Sequence, residues 1–209
     1  MDTERNLTDL TFARLLEEFA ARTPTPGGGA AAGLVAALGA ALGAMAFRFS
    51  RKKEELESPM EERAAGLQRE ASRFASAAEE DCRAYEEVRA AFRLPKDTEE
   101  EKSTRSAAIR KATIGALASP LGLMERILEA ARILAAGAEG VKPALASDLA
   151  SAAWCFRSGG EMAWLNVRIN AASLPGDPEA EEALAKGKHL KEDLLEVLAG
   201  ILAKAEEGL

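Results

Sequence analysis

The sequence predicts an all-α protein, a bundle of six to eight helices. Three observations carry that expectation. No stretch alternates apolar and polar residues with period two, and apolar residues recur at helical spacing along most of the chain. Aromatic residues make up only 5% while alanine and leucine abound, a profile of helix packed on helix. At 209 residues the chain suits one domain over 1–209 with a substantial core. The net charge of −7 and dispersed basic residues argue against a nucleic-acid surface.

The first helix is expected over 9–21, with Thr8 as N-cap and Leu10, Phe12, Leu15, Leu16 and Phe19 on its apolar side. Thr23-Pro24-Thr25-Pro26-Gly27-Gly28-Gly29 then halts the helix, because prolines restrict the residues before them and glycines allow sharp turns. An Ala/Gly helix follows over about 28–55, with Gly29, Gly33, Gly39 and Gly43 in pairs four apart. That spacing lets a neighbouring helix or a flat ligand approach the backbone. The free N–H groups at its start suit a carboxylate or phosphate. The segment is long enough to cross a membrane, but alanine and glycine contribute little transfer energy and no aromatic belt flanks it, so no membrane span is expected.

Ser58-Pro59-Met60-Glu61 opens a helix to about Phe92, with Leu67, Phe74, Ala78, Tyr85 and Val88 expected on its inner side. Thr98 with Glu101, or Asp97 with Glu100, caps the next helix. Ser119-Pro120 is expected to kink or restart it. After a turn at 137–143, Ser147-Asp148 starts a segment ending near Ala172 and interrupted at Gly159-Gly160. Asp177-Pro178 starts the last helix, striped by Leu184, Leu194, Val197, Leu198, Ile201 and Leu202.

Candidate chemistry is sparse. The one histidine, His189, sits among charges and reads as an exposed helix residue, which leaves no zinc site and no Ser-His-Asp arrangement to expect. Cys82 and Cys155 lie in helical patterns and are expected as reduced thiols in a cytoplasmic protein. Within Glu79-Glu80-Asp81, Asp81 is the best inward candidate, and a buried aspartate is costly without a partner. The alternative is a solvated acidic face with Asp81 at its edge. Asp148 reads either as a helix-start carboxylate or as a site acid. Asn166 and Asn170 share one helical face among apolar residues, and need either helix partners or a polar ligand edge.

Six segments in register resemble the cyclodeaminase/cyclohydrolase family. They are Pro24-Thr25-Pro26-Gly27-Gly28-Gly29, Asp81-Cys-Arg-Ala-Tyr85, Arg93 to Arg105, Ser119-Pro120-Leu121, Ser147-Asp148-Leu149 and Asn166 to Asn170. The resemblance covers nearly the whole chain. It implies a helical homodimer acting on one-carbon units of tetrahydrofolate, with no cofactor or metal beyond that folate substrate. It also implies Asp81 as the catalytic aspartate and Asp148 as a second acid, with Gly27, Gly28, Gly29, Lys96, Asn166 and Asn170 around the folate. Two motifs depart from the family pattern: Ala30 stands where relatives usually have Ser, and Lys142-Pro143-Ala144 where they often have Asn-Pro-Asn. The reaction implied is cyclodeamination of 5-formimidoyl-tetrahydrofolate. Methenyltetrahydrofolate cyclohydrolysis is the main alternative, and a non-catalytic helical binding protein is the third.

Overall fold

Capping chemistry sets most helix boundaries. A computed structural model describes residues 6–51 and 58–209, and among them are six α-helices, two 3-10 turns and no strand. Helix α1 is Phe12–Ala20, capped by Thr11, whose hydroxyl accepts from the Arg14 N–H. The expected start at residue 9 is too early. Thr8 lies in a 3-10 turn, Leu7–Asp9, its hydroxyl donates to Glu79, and the extended Leu10 separates that turn from α1.

Helix α2 runs Gly28–Ser50 and ends at an extended Arg51, short of the expected 55; residues 52–57 lie outside the described residues. Helix α3 is Pro59–Phe92, with the Ser58 hydroxyl accepting from the Glu61 N–H. Helix α4, Glu99–Ala138, begins with a reciprocal cap between Thr98 and Glu101. Helix α5 is Ala146–Ala172, and α6, Pro178–Glu206, is capped by Asp177.

Neither Pro120 nor Gly159-Gly160 ends its helix. Helix α4 continues through Pro120 without a restart. A proline inside a helix leaves the carbonyl four residues earlier without its N–H partner, and here that carbonyl is Ala116. Asn170 of α5 supplies the missing donor, its Nδ2 lying 2.7 Å from the Ala116 oxygen. Helix α5 likewise passes Gly159-Gly160 unbroken, because both glycines make room for neighbours rather than turns. A Cβ on Gly159 would fall 3.1 Å from the Ala32 oxygen, and one on Gly160 would overlap the Leu194 side chain.

The Ala116–Asn170 contact gives a stability test. Asn170→Leu strands a buried carbonyl and is expected to cost about 1–3 kcal/mol in denaturant unfolding. Adding Pro120→Ala returns an N–H to that carbonyl, so the double variant should recover part of the loss. Equal losses with and without the proline would show that the amide serves another purpose.

Helix α2 is the hub. It packs between α3 and α5, with α4 behind all three and α6 against α4 and α5. Its small residues permit this: a Cβ on Gly33 would lie 2.7 Å from the Phe74 oxygen, and one on Gly39 2.8 Å from the Cys155 Cβ. Phe47, Leu67, Phe74, Ile127, Leu134 and Phe156 fill the core around it. By length and composition α2 could cross a membrane, with a hydropathy of 2.0, and just over half of that stretch is buried inside the protein.

Two apolar surfaces stay uncovered. Phe12 and Leu16 of α1 are exposed, so the apolar side expected for the first helix meets little of its own chain. Opposite its packed face, α2 presents Leu38 and Phe49 outward, and Trp154, Leu165 and Ile169 of α5 lie exposed beside them. Tyr85, expected on the inner side of α3, is 42% exposed, because α3 extends past the end of α2 by that point.

Candidate active site at the N-terminus of α2

Gly27 is extended and caps α2 without a side chain, so the N–H groups of Gly28 and Gly29 have no intrahelical acceptor. Asp81 of α3 packs directly onto this end. A Cβ on Gly29 would lie 2.6 Å from Asp81 Oδ2 and closer still to Oδ1. Gly29 therefore gives room for the carboxylate as well as a free N–H. A Cβ on Gly28 would sit 3.5 Å from Asn166 Nδ2, which places α5 on the opposite side of the same opening. Gly29 and Ala30 are buried, Gly28 is open to solvent, and Asp81 and Asn166 are half-buried between them.

The electrostatics follow from this placement. Burial raises the Asp81 pKa above the ordinary carboxylate value, and the Ala30 backbone N–H, hydrogen-bonded to the carboxylate, opposes the shift. The helix N-terminus acts in the same direction as Ala30, since its dipole favours negative charge. The result is a carboxyl group more easily protonated than usual, yet held against donors that accept it ionised. That is the profile of a group able to take and return one proton.

The two asparagines divide. Asn166 Nδ2 donates to the Met162 oxygen of its own helix at 2.9 Å, which fixes the amide beside Gly28. Asn170 is committed to Ala116, one turn further on. It braces the proline-containing stretch of α4 with one of its amide N–H groups.

Asp148 and Lys96 stand apart from this opening. Asp148 is in the first turn of α5, one turn before Ala152, which packs on Gly39 and Gly43. Eighteen residues, about 27 Å of helix, separate it from Asn166. Ser147 does not cap α5, whose N-cap is Leu145. Lys96 is exposed in the loop between α3 and α4. Lys142 binds the other end of α2: its Nζ donates to the Phe49 oxygen at 2.6 Å and its N–H to Ser50 Oγ at 3.0 Å.

A groove of about 920 Å³ lies elsewhere, between α1 and the outer side of α3, lined by Leu10, Arg14, Pro26, Cys82 and Glu86 among others. Neither Asp81 nor Asn166 lines it. Burial, with Asp81 and Glu79 nearby, pushes the Cys82 thiol up to about 11, so it stays protonated near neutrality and is a poor nucleophile. His189 is exposed, its Nδ1 2.8 Å from the Ala185 oxygen. Among the described residues no three His, Cys, Asp or Glu side chains converge. The pairing of Gly29 with Asp81 had no local signal, because the two residues are far apart in sequence.

Fold and site together describe a helical domain in which one half-buried carboxylate packs on a glycine-rich helix start. Residues 11–190 match the family model for formiminotransferase-cyclodeaminase, and the chain belongs to that family. It is 30% identical over 206 residues to the formimidoyltransferase-cyclodeaminase of Rattus norvegicus, covering 97% of this chain but only 38% of that longer protein. It is 33% identical over 201 residues to the methenyltetrahydrofolate cyclohydrolase of Methylorubrum extorquens, covering 93% of this chain and 90% of that one. The crystal structure of the formiminotetrahydrofolate cyclodeaminase of Thermotoga maritima superposes with a TM-score of 0.81 at 24% identity, covering 96% and 98% of the two chains. That likeness carries the fold.

Proposed function

We propose that this protein closes 5-formimidoyl-tetrahydrofolate to 5,10-methenyltetrahydrofolate with release of ammonia, and that it works as a homodimer. The observation behind this reading is the Asp81 carboxyl, desolvated and pressed against the N-terminus of α2. In the reaction, N10 attacks the formimidoyl carbon and a tetrahedral carbon forms between N5 and N10. Asp81 takes the N10 proton and returns a proton to the amine as the C–N bond breaks and ammonia departs. A carboxyl with a raised pKa suits both halves, which general acid-base catalysis values at roughly 10²–10⁴-fold. The Gly28 and Gly29 N–H groups and the Asn166 amide would hold a polar edge of the folate, while the Gly27 cap lets the chain reach that end without a side chain.

A second reading has its own support. The cyclohydrolase of M. extorquens is matched over nearly its full length, whereas the rat protein is matched over little more than a third. In that reaction the same carboxylate would deprotonate a water attacking the methenyl carbon. The absorbance of the methenyl chromophore separates the two. Its appearance from 5-formimidoyl-tetrahydrofolate, with ammonia released, is expected. Its accelerated loss from 5,10-methenyltetrahydrofolate, with no formimidoyl turnover, would replace the main reading with the second. No enzyme-dependent change with either folate would sink both.

A further inference from the structure

We propose that Asn170 and Pro120 are positioning residues for the site at the start of α2. The bond from Asn170 to the Ala116 carbonyl that Pro120 leaves free sets the rotation of α5, and so places the Asn166 amide beside Gly28. This rests on the reading of Asn166 as a group that holds the folate.

The Asn166 amide is tied to its own helix rather than to α2. Its Nδ2 donates to the Met162 oxygen, so the amide turns with α5 as one body. The packing of α2 on α5 ends at this level. Gly39 packs on Cys155, Ala32 on Gly159, and Gly28, the first residue of α2, reaches Asn166. Asn170, one turn further on, has passed the start of α2, and its side chain reaches α4 instead. On another side of α5, Trp164 sits in a notch of α6, where a Cβ on Gly187 would lie 2.6 Å from the indole. Leu165 and Ile169 face solvent. The Asn170 bond and the Trp164 notch thus hold this end of α5 from two sides. Apolar packing around them is non-directional, whereas a 2.7 Å amide–carbonyl bond fixes an angle. A rotation of α5 by about 10° would move the tip of Asn166 by roughly 1 Å. A displacement of that size is felt by any group that must orient a substrate.

Stability alone does not favour this arrangement. A proline inside a helix forfeits a backbone hydrogen bond, and here both Pro120 and Ala116 are buried. An ordinary residue at 120 would give the Ala116 carbonyl its own helical N–H. An apolar residue at 170 would then leave no polar group to satisfy, and replacing both partners of a buried pair in this way is often nearly neutral or stabilising. What the pair supplies is a directed link between α4 and the stretch of α5 that carries Asn166. Because residue 120 is a proline, the carbonyl has no donor from its own helix at that position, and the amide of Asn170 meets it without competition.

Kinetics and unfolding measured together test this. With the folate that wild type turns over, Asn170→Leu is expected to raise KM by about tenfold, with kcat within about threefold. The pH profile of kcat should not move, because Asp81 lies on α3 and keeps its surroundings. Adding Pro120→Ala returns an N–H to Ala116, so stability recovers, but the link to α5 stays broken and KM should stay raised. Asn166→Ala should raise KM by a similar factor. Asn170→Leu added to it should change little further, since both act through one amide. A KM that returns together with stability would overturn the proposal. Losses in kcat/KM that multiply when Asn166→Ala and Asn170→Leu are combined would do the same, as would a wild-type KM in Asn170→Leu. The side-chain amide signals of Asn166 in NMR, identified by their absence from Asn166→Ala, give a readout that needs no turnover. They should shift in the chain carrying Pro120→Ala and Asn170→Leu. If wild type turns over neither folate while those signals shift, the folate reading fails and the positioning of Asn166 by Asn170 stands. Unmoved signals would overturn the positioning whatever the turnover.

Discussion

Asp81→Asn is expected to lower kcat by about 10²-fold or more while folate affinity stays within about tenfold. The substitution preserves shape and hydrogen-bonding capacity, and removes only the titrating proton. Glu80→Gln is the control: Glu80 is exposed and points about 100° away around α3, so its turnover should stay near wild type. The Asp81→Asn variant also has a predictable stability signature. Burial raises the Asp81 pKa in the folded state, so its favourable contribution is fully present below the ordinary carboxylate value and is lost as pH rises through the raised value. The amide that replaces the carboxyl does not titrate. Melts at neutral pH should therefore place the variant at or above wild type, with the difference shifting in favour of wild type as pH falls toward the ordinary carboxylate range. Loss of activity together with higher stability is the mark of a carboxylate held in place for chemistry. Full turnover by Asp81→Asn would end the proposed mechanism.

Much of the fold was legible because its signals are local. Ser58-Pro59, the Thr98–Glu101 pair and Asp177-Pro178 each announce a helix start within four residues, and each start is where those residues stand. The misreadings share one physical cause. Pro120 and the Gly159-Gly160 pair look like breaks when read alone, but the groups that keep those helices whole come from elsewhere. The Ala116 carbonyl freed by Pro120 is satisfied by a residue 54 positions away, and Gly160 accommodates Leu194 of α6. Tyr85 keeps the spacing of an inner residue but lies beyond the helix that would cover it. The candidate site divides the same way. Asp81 and Asn166 could be picked out by helical facing, whereas the gap between Asp148 and Asp81 depends on which end of α2 each helix meets. Lys142, one of the departures from the family pattern, has a local role in binding the C-terminal carbonyl end of α2.

Gly29→Ala is expected to abolish turnover nearly as completely as Asp81→Asn, by about 10²-fold, while Gly28→Ala is nearly silent. The two positions are adjacent and share one helix start, yet their surroundings differ. A methyl group on Gly29 overlaps the Asp81 carboxylate, whereas one on Gly28 meets Asn166 at an ordinary contact distance in a solvent-open position. Either the carboxylate leaves the α2 N-terminus or the helix start moves away from α3, and both remove the proton carrier from the Gly28 and Gly29 N–H groups. Overpacking of this kind typically costs about 1–3 kcal/mol, so Gly29→Ala should also melt earlier. Shortening the opposing side chain distinguishes collision from a general loss of backbone freedom. In the double variant Gly29→Ala with Asp81→Ala the overlap is gone, and stability should recover well beyond the sum of the single effects. Activity should not. If Gly29→Ala melts and turns over like wild type, the carboxylate does not need its place on the helix start, and the site must be sought elsewhere.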